Sequence, residues 1–130
     1  MTTTARPTSE VEAEIKDTLG LVPSFFSTLP EDTLDHEWQL FRRMELGETV
    51  IPNKYKELLM LAVHAETRCR YCTLFHTEAA KLFGATEEEI QEAVHLAKYT
   101  VGWSVYLNGM REDEGRFAEE LAQIGEHLSA

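Results

Sequence analysis

The segment Glu57–His76, ELLMLAVHAETRCRYCTLFH, decides how the rest of the chain is read. Its first half is almost unbroken apolar sequence. Its second half holds both cysteines of the protein, as Cys69-Arg70-Tyr71-Cys72. His76 lies four residues after the second cysteine and Glu57 twelve before the first. In a helix over Tyr71–Phe83, Cys72 and His76 are i and i+4, neighbours on one face. Cys69 and His76, two turns apart, fall on that face as well. Two thiols, an imidazole and a carboxylate can then share one pocket, which is redox chemistry in outline.

Working outward, Pro52 suits the first turn of a helix running to about Thr67. Leu58, Leu59, Ala62, Val63 and Ala65 cover one broad arc of it, and Met60 and Leu61 flank the opposite side, which carries Glu57, His64 and Arg68. So little polar surface predicts a central, buried helix, with Glu57 holding its proton near neutral pH. The pattern changes phase near Cys69, so a break is expected there, with the CxxC helix ending at Gly84. Thr86 and Glu89 form a capping box that opens the longest helix, to about Asn108. Ile90, Ala93, Val94, Ala97, Val101 and Val105 make one stripe of it; Leu96, Tyr99, Trp103 and Tyr106 make a second, roughly opposite. Few partners remain in a chain this short to cover the second stripe, so the aromatic face points to self-association. Gly102 and its β-branched neighbours leave room for a break or strand. A last helix over about Asp113–Leu128 carries Phe117, Leu121, Ile124 and Leu128 on one side.

Upstream, Ser9 and Glu12 form a capping box before Val11, Ile15 and Leu19, and Gly20 closes that helix. Leu21–Pro30 reads as a packed turn or short helix. Leu34, Trp38 and Phe41 stripe a helix over Glu31–Leu46 that Gly47 ends. The expected organisation is a disordered lead-in over residues 1–8 and one domain over 9–130. The fold expected is all-α, with about six to seven helices.

The 130 residues form one domain with room for a core. A net charge of −11 argues against nucleic acid and against an anionic membrane surface. The longest apolar run, Leu58–Val63, is far too short to span a bilayer. The opening MTTTARPTSE lacks the apolar stretch of a signal peptide, so the chain is read as cytoplasmic and its thiols as reduced at rest.

A thiol attacks only as its thiolate. A helix start favours that anion, His76 can take the proton of Cys72, and Glu57 can orient His76 or relay the proton. A second thiol one helical turn away lies within bonding reach and can convert a sulfenic acid into an intramolecular disulfide. Rival readings use the same residues. CxxC with His76 offers three zinc ligands, with His64 or Glu57 as a fourth, and a non-catalytic redox sensor would need only the dithiol. Glu57 could simply pair with Arg68 or Lys54, and His64 could support the site or merely pack. His36, His95 and His127 belong to no constellation and read as surface.

At Glu57, Cys69, Cys72 and His76 the sequence resembles the AhpD-like alkylhydroperoxidases of the carboxymuconolactone decarboxylase superfamily. Their mark is a Glu, eleven intervening residues, CxxC, and a His after three more. LGLVPSFF from Leu19 and the Tyr71-Cys72 pair also look like this family. The resemblance implies an AhpD-like helical bundle, assembled as a homotrimer or homohexamer. It implies peroxidase activity toward alkyl hydroperoxides, with Cys72 attacking, Cys69 as proton donor and resolving partner, and Glu57 and His76 as the relay. No cofactor is implied beyond a redox-active Cys69–Cys72 disulfide, and the partner would be a thiol reductant such as a dihydrolipoyl or thioredoxin-like protein. Two departures stand out. Tyr71 occupies the place where the best-studied members carry a further relay histidine, and this chain is shorter than the two-repeat members. The decarboxylase branch lacks the cysteine pair, so lactone decarboxylation is not expected.

Overall fold

A computed structural model describes residues 4–130, and every regular element among them is helical. The seven α-helices are α1 (Thr8–Leu19), α2 (Ser24–Ser27), α3 (Glu31–Phe41), α4 (Asn53–Thr67), α5 (Arg70–Leu82), α6 (Glu87–Gly109) and α7 (Glu114–Ser129). The expected all-α architecture and the order of its helices therefore stand. A π-helical turn, Arg42–Leu46, extends α3.

Proline punctuates the first half. Pro7, Pro23, Pro30 and Pro52 each stand immediately before a helix, and their carbonyls accept the first intrahelical bonds. Proline's fixed φ suits such a start. It overrides the Ser9–Glu12 capping box: α1 begins at Thr8, no side chain caps it, and Ser9 lies inside. Of the lead-in expected over residues 1–8, residues 1–3 fall outside the described residues. Arg6 is held by Asp35 and Glu14, and the Arg6 guanidinium keeps the Asp35 carboxyl down at about 2. The Thr86–Glu89 box forms as expected, each side chain bonding the other's backbone N–H at 3.1 Å. Gly20 and Gly84, at φ of 85° and 91°, turn the chain where a side chain would be strained.

Two small cores result. Val11, Ile15, Phe26, Leu34 and Trp38 bury one another between α1, α2 and α3. Leu61, Ala80 and Ile90 form the second, where α5 and α6 pack against α4. Central placement of α4 is thus observed, but burial all round is not. Asn53, Lys56, Glu57 and Leu61 are buried, while Tyr55, Leu59 and Val63 are more than half exposed. Neither core reaches that arc of α4, and its side chains lie open. α6 continues unbroken through Gly102. Its face of Leu96, Tyr99, Trp103 and Tyr106 is exposed, as is the stripe of Phe117, Leu121, Ile124 and Leu128 on α7. His36, His95 and His127 are exposed as expected. No helix among the described residues is long and apolar enough to cross a membrane.

Candidate active site

The site is built where α4 hands over to α5. Arg68 takes the left-handed conformation at φ 60° and ends α4, and Cys69 then caps α5. The chain folds back within two residues, laying α5 along α4. Cys69 and Cys72 are joined as a disulfide, with Cα atoms 5.3 Å apart. The Cys72 N–H donates to Cys69 Sγ at 3.2 Å, so the sulfurs sit on the unpaired amides at the positive end of α5. That environment favours a thiolate once the pair is reduced.

Glu57 and His76 meet where α4 and α5 face each other. Glu57 Oε2 lies 2.7 Å from His76 Nδ1, with the Glu57 side chain fully buried and that of His76 nearly so. Burial pushes the Glu57 carboxyl up and the His76 imidazole down, each toward its neutral form. The short bond therefore carries a proton that either partner can hold, with His76 Nε2 left for exchange with a third group. Neither Arg68 nor Lys54 takes Glu57: Lys54 pairs with Glu89 at 3.1 Å, and Arg68 ends the helix.

Two more residues join, of which the sequence pattern names His64, as a fourth zinc ligand or a supporting group, and not Glu45. His64, left open between support and packing, brings a ring nitrogen within 4.8 Å of both sulfurs. It also stacks on His76, with ring centroids 5.4 Å apart and planes 5° from parallel. The sulfurs thus have His64, and not His76, as the third member of any metal-ligating set. Glu45, from the π-turn, reaches Glu57 and His76 with ligand atoms within 4.8 Å of one another. Burial and a hydrogen bond with Glu57 push the Glu45 carboxyl up to about 7. Its signal was its spacing, because Leu34, Trp38, Phe41 and Glu45 continue one inward stripe.

A cleft of about 910 Å³ opens over this centre. Phe25, Phe41, Phe75, Leu74 and Leu82 contribute to an almost wholly apolar wall, interrupted by Cys72, Glu57, His76 and Glu45. Cys69 does not line it. A ligand entering the cleft would meet Cys72, Glu57 and His76 among the residues that line it.

The model of the carboxymuconolactone decarboxylase family matches residues 32–114. A curated relative, "Uncharacterized protein 4 in cox locus" of Paracoccus denitrificans, is 28% identical over 65 residues, which are 50% of this chain and 59% of that protein. The chain therefore spans less than two thirds of that relative's length. Among solved structures, an alkylhydroperoxidase AhpD core from Rhodospirillum rubrum superposes with a TM-score of 0.72 at 22% identity. The match covers 90% of this chain and 98% of the other. The fold is thus AhpD-like.

Proposed function

Because the chain belongs to the carboxymuconolactone decarboxylase family, we propose that it is a thiol-dependent oxidoreductase that reduces organic hydroperoxides through Cys69 and Cys72. The observation that carries this reading is that Cys72 lines an apolar cleft that also reaches the buried Glu57–His76 pair.

In the reduced protein, His76 Nε2 takes the proton of the Cys72 thiol while Nδ1 passes its own to Glu57. The burial that disfavours imidazolium and carboxylate alike makes this double transfer the low-charge route. The thiolate attacks the terminal oxygen of ROOH. The S–O bond forms as the O–O bond breaks, and the alkoxide takes the proton back from His76, leaving Cys72–SOH and ROH. Cys69–SH then attacks the sulfenic sulfur, forming the disulfide and releasing water. Two thiols of a dihydrolipoyl or thioredoxin-like donor restore the dithiol and leave as a disulfide. His64, stacked on His76 with a ring nitrogen within 4.8 Å of both sulfurs, is a histidine beside the dithiol where position 71 offers none.

The working unit in this reading is the single helical domain over residues 9–130, acting in the cytoplasm. A second copy covers the exposed faces of α6 and α7 in a homotrimer or homohexamer. The test is turnover of an organic hydroperoxide with a dithiol donor. Cys72→Ser should lower it by about 10³-fold or more, and unchanged consumption would end the proposal.

A further inference from the structure

Glu45 is the acid that the CxxC motif and the Glu57–His76 pair leave unused. One of its carboxylate oxygens lies within 4.8 Å of one of Glu57. Glu45 Oε2 and Glu57 Oε1 are both sealed from solvent, and neither has a hydrogen-bond partner. Two ionised carboxylates cannot share such a place, and one proton between them satisfies both oxygens. Exposure separates the two acids. Glu57 is fully buried, whereas Glu45 is partly exposed and lines the open cleft. The turn that carries Glu45 is fixed from α4: Asn53 Nδ2 donates to the Leu46 carbonyl at 3.1 Å and Lys56 Nζ to the Gly47 carbonyl at 2.9 Å. The chain also closes tightly there, because a Cβ on Gly47 would lie 3.1 Å from the Arg42 carbonyl oxygen.

We infer that Glu45 is a positioning residue for Glu57 and the solvent-side end of the proton relay. Its protonated carboxyl donates to Glu57, and its ionised form is recharged from water in the cleft. The inference rests on the hydroperoxide-reducing reading. When Glu57 takes up the thiol's proton through His76, Glu45 releases its own to water. When the alkoxide takes the proton of His76 Nε2 and Nδ1 takes that of Glu57, water returns one to Glu45. One proton leaves for each one that enters, and no electrons move. The titratable and charged groups facing Glu45 are Glu57 and Lys56 of α4 and His76 of α5. Glu57 raises its titration, and Lys56 and His76 lower it. A midpoint of about 7 lets the exchange run in both directions at neutral pH.

The test is NMR titration of the His76 ring in the oxidised protein, run beside hydroperoxide turnover. In the wild type the ring resonances should show a step near the Glu45 midpoint of about 7. Glu45→Gln should remove that step, Glu45→Asp should restore it, and the neutral limb of the kcat profile should vanish in Glu45→Gln with KM unchanged. A wild-type titration without the step, or a step that survives in Glu45→Gln, overturns the inference. If the wild type shows no Cys72-dependent turnover, the functional reading fails by itself, and the ring titration still decides the role of Glu45.

Discussion

The part of the chain before Gly84 and the part after it differ in how much of a core they close. Before Gly84, the stripes of α1 and α3 close on one another, with Trp38 and Ile15 wholly buried. The apolar surface left open there includes a concave cleft beside a reactive pair. After Gly84, Ile90 and Ala97 are the buried apolar residues, and the remaining stripes of α6 and α7 face outward. The first region closes a core between α1, α2 and α3 and holds the chemistry, while the arc of Tyr55, Leu59 and Val63 on α4 stays open. In the second, α6 packs on α4 through Ile90. Its aromatic face and the stripe of α7 have the periodicity of packed helices with no cover among the described residues, as the proposed second copy requires.

Stability separates the two regions most sharply. Trp38→Ala should cost about 3–5 kcal/mol in denaturant unfolding. Leu121→Ala, on the bare stripe of α7, should cost less than about 0.5 kcal/mol when measured at high dilution. Equal costs would break the distinction. The next effect concerns assembly. Trp103→Asp places a charge in the middle of the aromatic face, where Trp103 makes edge-on pairs with Tyr99 and Tyr106. Sedimentation velocity should show the wild type as an oligomer and this variant as a monomer with native helicity, and identical sedimentation would remove the aromatic face from the interface.

The smallest effect is a pH dependence. The fold raises the Glu45 carboxyl from 4.5 to about 7, so the folded state binds the extra proton between those values. Its stabilisation is complete below the unfolded value and is lost as pH rises through the folded one. Against Glu45→Gln, the wild type should therefore lose on the order of 2 kcal/mol over that window, after allowance for partial exposure. His76 works the other way. Burial lowers its folded value, so its contribution is present above the ordinary imidazole range and is lost as pH falls below it. A difference curve between wild type and Glu45→Gln that stays flat would sever Glu45 from the site.

Much of this was legible in residue spacing because local rules govern it. The i, i+4 relation of Cys72 and His76, the phase change at Cys69, the Thr86–Glu89 box and the paired stripes of α6 are short-range properties of a helical chain. The approach of Glu57 to His76 needed one assumption, that α5 folds back on α4, and the left-handed turn at Arg68 supplies it. What spacing does not encode is how that reversal is aimed. The reversal brings His64 to the sulfurs and turns His76 toward Glu57, so the ligand set expected around a zinc ion is not the one assembled. Spacing does not reveal Glu45, because an acid at the end of an apolar stripe reads as the point where a helix meets solvent. The exposed arc of Leu59 and Val63 is hidden from the sequence for a different reason: apolar sequence says what prefers burial, and only the tertiary arrangement says whether anything covers it.

The centre itself is tested most directly by the pH dependence of Cys72 alkylation in reduced protein, wild type against Glu57→Gln. Glutamine can hold the imidazole but cannot store the thiol's proton, so a buried imidazolium would be left without its counter-charge. The midpoint should move up by about one pH unit. Superimposable curves would contradict a relay that runs from Cys72 through His76 to Glu57.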